Sequence, residues 1–224
     1  IVPSISFPSV ASAVVSKGAK LVFCDVDKRS LNVRAEDIES KINDKTKAVF
    51  ITHFGGISCD MDPILELCNK HNILVIEDSA CAVKSFYKGK ACGTIGDMGM
   101  WSFDAMKTLS TADGGMIYIK NKQKRIEAGE FLYLGLPQKQ KSGIDSSSES
   151  NNTWWEFQMN APGRRAIMNN VTAAMGCVQL KKLNGFIAPR EEIYNNYHAE
   201  LGKLDWIDVP PKPTFNNQSS FYFF

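Results

Sequence analysis

No stretch of this chain approaches the ~18 unbroken apolar residues that a membrane-spanning helix requires. An excess of one charge is missing too. The 26 Lys and Arg against 24 Asp and Glu leave +2 over 224 residues, so no broad field draws the chain to nucleic acid or to a lipid surface. The six cysteines (Cys24, Cys59, Cys68, Cys81, Cys92 and Cys177) include no C-x-x-C pair. Several stand inside apolar runs such as LVFCDV, which suits reduced, buried thiols in a cytoplasmic protein. The three histidines, His53, His71 and His198, are far apart and lack ligand spacing, so metal catalysis is not expected. No internal repeat is visible. What remains is 44% hydrophobic and 22% charged, an ordinary globular composition with enough chain to bury a real core. The first residue is Ile1, already inside the apolar IVPS, and the last six, SSFYFF, read as a strand cut in the middle. The expectation is a fragment of a longer protein, truncated at both ends.

Apolar runs alternate with helical patterns. PSVASAVVSKGAK offers a helix ended by Gly18, and LVFCDV a buried strand. RAEDIESKIND is a polar helix with Ile38 and Ile42 four apart, and TKAVFITHF is the next strand. In CDMDPILELCNKHN the start signals place Asp62 at the N-cap and Pro63 at the first helical position, with Ile64, Leu67, Cys68 and His71 on one face. NILVIEDSA is too continuously apolar for a strand with one face in water. After it come the strand Met98 to Phe103, a polar loop, and the run Met116 to Ile119. A helix NKQKRIEAGEFLYLG, a Ser/Asn-rich loop KQKSGIDSSSESNNT, and two further helices complete the pattern. The first of these two, NNVTAAMGCVQLKKLNGF, ends near Gly185; the second, IAPREEIYNNYHAELGKL, is entered through Pro189. Strands alternating with helices predict an α/β domain with a largely parallel sheet covered on both faces. Ligands gather at the carboxyl ends of the strands in such sheets.

Two acidic residues, Glu77 and Asp78, stand at one such end, and Lys107 follows another. A lysine at the end of a buried strand is a costly place for a charge, unless it is paired, neutralised or used covalently. Lys107 alone reads equally well as a solvated loop residue. Opposite Asp78 it reads either as half of a buried salt bridge or as one pole of a bound pyridoxal 5'-phosphate. In the second case the lysine holds the aldehyde carbon while the carboxylate keeps the ring nitrogen protonated. Ser102 stands close enough to Lys107 to serve a phosphate, and Phe7 is an aromatic candidate for the ring's flat partner. His53, in ITHFGG, reads as a packed or turn residue rather than a base, Trp154-Trp155 as cover for the core or a subunit contact, and the KQKRIE and KQK charges as solvated faces. Asp25 and Asp97 read as turn caps.

Taken in order, IVPSISF, VIEDSA (75–80), GDMGMWSFDAMK (96–107) and DGG (113–115) resemble the DegT/DnrJ/StrS family of sugar aminotransferases. The spacing of Asp78 and Lys107, 107 − 78 = 29, matches the family pattern, and the likeness runs on to the QLKKL helix at Gln179, Leu180 and Leu183. The resemblance implies a three-layer, aspartate-aminotransferase-like fold. It implies a cofactor-binding large domain over 1–185 lacking its N-terminal part, and a linker helix with the start of a small domain over 186–224. Carried over by position, Lys107 is the Schiff-base lysine, Asp78 the partner of the ring nitrogen, Ser102 a phosphate ligand and Phe7 the stacking ring. Three residues after the aspartate, where the family has Gln or His against the cofactor's phenolic oxygen, stands Cys81, a poorer hydrogen-bond partner.

The segment that reaches the neighbouring subunit's site is altered as well, to PGRRAIMNN, with Arg165 where an Asn or Lys approaches the phosphate. Asp104 falls at a variable position. The family's early phosphate-binding Gly-Ser/Thr segment lies upstream of Ile1, so a molecule confined to these residues is expected to bind cofactor weakly or not at all. The implied activity is transfer of an amino group from an amino acid, glutamate being the expected donor, to a nucleotide-linked keto-sugar in amino-sugar and polysaccharide biosynthesis. The implied assembly is a homodimer with active sites at the subunit interface. Two alternatives stand beside it. One is a sugar dehydratase of the same family, which has histidine in place of the lysine; the other is a non-catalytic relative that keeps the fold.

Overall fold

The computed structural model describes residues 1–137, 159–214 and 216–224. They form two compact units, one of Ile1–Lys120 with Asn170–Phe224 and one of Asn121–Asn169. The first unit opens with β1 (Val2–Pro3), α1 (Pro8–Ser16), β2 (Phe23–Cys24), α2 (Ala35–Glu39) and β3 (Ala48–Thr52). It continues through α3 (Met61–Lys70), β4 (Leu74–Asp78), the short pair β5 (Phe86–Tyr87) and β6 (Lys90–Ala91), β7 (Met98–Ser102) and β8 (Gly115–Ile119). After α4 (Lys122–Leu132), which belongs to the second unit, it resumes with α5 (Asn170–Leu201) and β9 (Asn217–Gln218). The Ser/Asn-rich 139–153 and Trp154-Trp155 lie outside the described residues.

The central sheet runs β3-β4-β7-β8, with β3, β4 and β7 parallel and β8 antiparallel to β7. β1 and β2 form a parallel pair beside it. Ile1 joins the two sets, donating to the Ala48 carbonyl and accepting from the Phe50 amide, each at 2.9 Å. Burial alternates along β3, with Val49 and Ile51 inside. They pack with Val75, with Ile38 of α2, and with Met61, Ile64, Leu67 and Cys68 of α3. This is the amphipathic face read in the sequence, except that His71 is the C-cap of α3 and exposed.

Other boundaries differ from the expected ones for physical reasons. The N-cap of α3 is Asp60, not Asp62. Its carboxylate accepts from the Tyr87 hydroxyl at 2.6 Å, and that same hydroxyl accepts from the Asp62 amide at 3.3 Å, so a distant tyrosine completes the cap. The polar helix around Ile38 shortens to Ala35–Glu39, and LVFCDV contributes only Phe23–Cys24 to a ladder. The two helices expected on either side of Gly185 and Pro189 are one, α5, with Pro189 inside it. Buried Leu183 and Tyr194 lie on one face, 194 − 183 = 11 residues or about three turns apart, and their packing outweighs the hydrogen bond that proline forfeits. The boundary expected at 185/186 therefore runs through a continuous helix. SSFYFF forms no strand of its own; the ladder residues are Asn217–Gln218, which pair antiparallel with β5.

The glycines of GDMG are there for close approach. A Cβ on Gly96 would stand 2.8 Å from the Val75 carbonyl, and one on Gly99 would collide with the Gly93 backbone. Asp97 accepts from the Val75 amide at 2.9 Å, as a turn cap should. The motif thus seats the start of β7 against β4.

Candidate active site at the strand ends

The sheet register gathers four loops at one edge. Thr52 at the end of β3 pairs with Asp78 at the end of β4, and Asp78 pairs with Met100, two residues before Ser102. Ser6, just after β1, lies 3.3 Å from the Thr52 hydroxyl. The loops that follow β1, β3, β4 and β7 carry Phe7, His53, Cys81 and Lys107 respectively, so the sheet brings most of the residues singled out in the sequence to its carboxyl edge.

The two acidic neighbours do different work. Glu77 is fully buried; one oxygen accepts from the amides of Ile95 (2.7 Å) and Gly96 (2.6 Å), the other from Gly93 (2.6 Å) and His53 (2.9 Å). Burial opposes its charge, but His53 and the amide donors outweigh that and hold the carboxyl below its ordinary range. His53 accepts the Cys59 amide at Nδ1, 3.1 Å away, so that nitrogen carries the lone pair and Nε2 carries the proton given to Glu77. His53 is a packed residue with both ring nitrogens engaged, as the sequence suggested. Asp78, by contrast, has one side-chain hydrogen bond among the described residues, from the Ala80 amide at 3.0 Å. Burial raises its pKa against the pull of that amide and of the Lys107 charge. It is a desolvated carboxylate with spare acceptor capacity at the mouth of the strands.

Lys107 sits in the loop after β7, which is closed by the bonds Phe103 N–H to Gly114 O and Thr111 N–H to Phe103 O, each 2.9 Å. Within it Asp104 accepts the Met106 amide at 2.9 Å, and its carbonyl accepts the Lys107 amide at 2.9 Å. Asp104 shapes the turn. The half-buried Lys107 Nζ lies 3.8 Å from Cys81 Sγ and 5.2 Å from the centre of the Tyr222 ring. It has no carboxylate partner among the described residues, which sets aside the plain salt bridge with Asp78. Burial raises the Cys81 thiol's pKa, partly offset by the Lys107 charge, so Cys81 is a neutral thiol beside the amine. Ser102 Oγ accepts the Asp104 amide at 3.3 Å, leaving its proton to donate. Phe7, the N-cap of α1, is 75% exposed and touches no other ring among the described residues. Arg165 belongs to the other compact unit, where it bridges Tyr133 and places its guanidinium 6.0 Å from that ring.

Two features were not foreseen in the sequence. One is the Glu77–His53 pair, whose amide donors come from 93–96 and carry no side-chain signal. The other is the C-terminal segment. Ser220 Oγ donates to the Cys81 carbonyl at 2.5 Å, its amide donates to Ser85 Oγ at 3.0 Å, and the Tyr222 amide donates to the Gly55 carbonyl at 2.9 Å. The run read in the sequence as the start of a small domain laces the loops after β3 and β4 together. Among the described residues, no His, Cys, Asp and Glu group is placed to hold a metal ion.

A model of the DegT/DnrJ/EryC1/StrS aminotransferase family matches residues 1–224. The chain is 44% identical over 224 residues to a dTDP-4-dehydro-2,3,6-trideoxy-D-glucose 4-aminotransferase of Saccharopolyspora spinosa, covering 100% of this chain and 57% of that protein. It is 35% identical over 210 residues to the spore coat polysaccharide biosynthesis protein SpsC of Bacillus subtilis, covering 94% and 53%. Among solved structures, the aminotransferase TlmJ from Streptoalloteichus hindustanus superposes with a TM-score of 0.90 at 42% identity, covering 99% of this chain and 57% of that one. The chain spans a little over half the length of the curated relatives it matches.

Proposed function

The chain belongs to the DegT/DnrJ/EryC1/StrS aminotransferase family, and from that premise we propose that it carries the cofactor-binding half of a pyridoxal 5'-phosphate-dependent sugar aminotransferase. The reaction moves an amino group from an amino acid, glutamate being the expected donor, to a keto-sugar held on a nucleotide. The observation that carries this reading is the placement of Asp78 at the end of β4 and of Lys107 in the loop after the adjacent parallel β7: a buried carboxylate with spare acceptor capacity, and a half-buried amine with no carboxylate partner among the described residues. That donor set fits the cofactor. Asp78 can accept from a protonated ring nitrogen, and the exposed Phe7 ring can stack on a flat heterocycle.

Bound there, pyridoxal phosphate would supply an electron sink for the pair of electrons left at the donor's α-carbon. The chain's own residues do the rest. Lys107 would hold the cofactor through Nζ and, as a free amine, would take and return a proton at that atom. Asp78 holds the ring nitrogen in its protonated form. Ser102 would donate its hydroxyl to the phosphate, and Cys81 would stand beside the phenolic oxygen. The name of the Saccharopolyspora relative, a dTDP-sugar aminotransferase, supports a nucleotide-linked substrate, and that of SpsC supports a place in polysaccharide biosynthesis. We further propose a cytoplasmic homodimer whose active sites lie at the subunit interface and draw Arg165 from the partner. The six free cysteines and the absence, among the described residues, of any helix long and apolar enough to cross a membrane agree with that location.

The test is a transamination screen of the full-length protein against a panel of nucleotide-linked keto-sugars, with glutamate as donor. Turnover of at least one member, abolished in Lys107→Ala, is expected. No turnover with any sugar or donor would leave the non-catalytic relative as the better account.

A further inference from the structure

The aromatic run that closes the sequence has no part in the reading above, yet one of its side chains lies against the lysine. Tyr222 touches the Lys107 turn twice. Its hydroxyl donates to the Met106 carbonyl at 3.0 Å, one residue before the lysine, and the Lys107 ammonium stands 5.2 Å from its ring centre. Arg190 of α5 also approaches that ring, at 6.0 Å, and donates to the Tyr222 carbonyl at 3.5 Å. The backbone of this segment is held independently. The Tyr222 and Phe223 amides both donate to the Gly55 carbonyl, at 2.9 and 3.2 Å, and the Phe223 ring lies 5.7 Å from Phe54. Ser220 is seated against Gly56, where a Cβ would collide with its hydroxyl. A segment anchored on the loops after β3 and β4 therefore presents one ring to the loop after β7.

We propose that Tyr222 is a positioning residue for Lys107. The ring's negative face holds the ammonium over it, and the hydroxyl fixes the carbonyl from which the lysine departs. Lys107 is the lone amine among the described residues that meets the Tyr222 ring, and the hold is reversible. An amine that must alternate between a bound and a free state needs a place to stand when free, and the ring supplies it. That use rests on the aminotransferase reading, whereas the placement of the side chain over the ring does not.

The experiment is competitive labelling of the purified full-length protein, without cofactor, by a limiting amine-acylating reagent. Modification of Lys107 is read by peptide mass spectrometry relative to the exposed Lys45. Tyr222→Leu is expected to raise relative Lys107 labelling about two- to fivefold, the range of one exposed cation–π contact. Tyr222→Phe, which keeps the ring, is expected to leave labelling unchanged but to speed amide exchange across 105–107, because the Met106 carbonyl loses its donor. Phe223→Leu, which disturbs the segment without touching Lys107, is expected to change neither the labelling nor that exchange.

Equal labelling in Tyr222→Leu and the wild type would overturn the assignment, as would the same rise in Tyr222→Phe or Phe223→Leu. Should leucine prevent folding, Tyr222→Met must give the same rise. The labelling result is independent of any visible band with added pyridoxal phosphate, so failure of the one does not masquerade as failure of the other.

Discussion

Glu77 and Asp78 are adjacent carboxylates with opposite fates, and the difference lies in the donors each one meets. Glu77 faces three backbone amides and the His53 N–H, and stays charged although no water reaches it. Its folded pKa lies below the ordinary value of 4.5, so the stability it contributes is complete above about that pH and is lost as pH falls through the lower folded value. Glu77→Gln places an amide NH2 against backbone N–H groups and should cost about 3 kcal/mol. Urea melts from pH 7 down to pH 3 will show the wild type losing stability over the acid limb and the variant, weaker throughout, losing less. Parallel limbs would contradict the assigned charge. Asp78, with one amide donor and a raised pKa, gains least from remaining as the chain alone leaves it, which is why it reads as a group meant for a ligand. The sequence shows two acids at a strand end; it does not show which meets the amides of 93–96, because that choice follows from backbone geometry.

At the scale of elements, the four strands of the central sheet and α3 were legible because burial follows short-range periodicity. Asp78 and Lys107 stood out in the sequence because one ends a strand and the other follows one within a local motif, and the structure puts them at the end of β4 and in the loop after β7. The helix ends were not. Gly185 and Pro189 are the punctuation that ordinarily ends a helix, and α5 runs through both because Leu183 and Tyr194 are buried on the same face. Pro189→Ala restores a donor for the Gly185 carbonyl and should stabilise the protein by about 1 kcal/mol, read as a rise in the melting temperature. An unchanged melt would mean that the helix is broken there. The C-terminal segment lies furthest from any local signal, since Tyr222 and Met106 are 116 residues apart in sequence. Its seat is Gly56, with φ +89° and Ser220 against it. Gly56→Ala should lift the segment, and limited proteolysis should then cut after residue 216 at least several-fold faster than in the wild type. An unchanged cleavage rate would show that the segment is held elsewhere.

On the scale of the molecule, one parallel edge collects the loops of β1, β3, β4 and β7, and residues 219–224 of the same chain brace the last three of them. The two departures from the pattern that the resemblance implies lie in different units: Cys81 beside the Lys107 amine, and Arg165 in the second compact unit. The framework beneath them, Asp78 on β4 and Lys107 after β7, keeps the family spacing. The central claim is that Lys107 is the amine that binds pyridoxal phosphate. Its most direct measurement is the visible absorption spectrum of the full-length protein titrated with pyridoxal phosphate, alongside Lys107→Ala. The account predicts a saturable visible band in the wild type that is absent from the variant; no band in the wild type, or the same band in both, would contradict it.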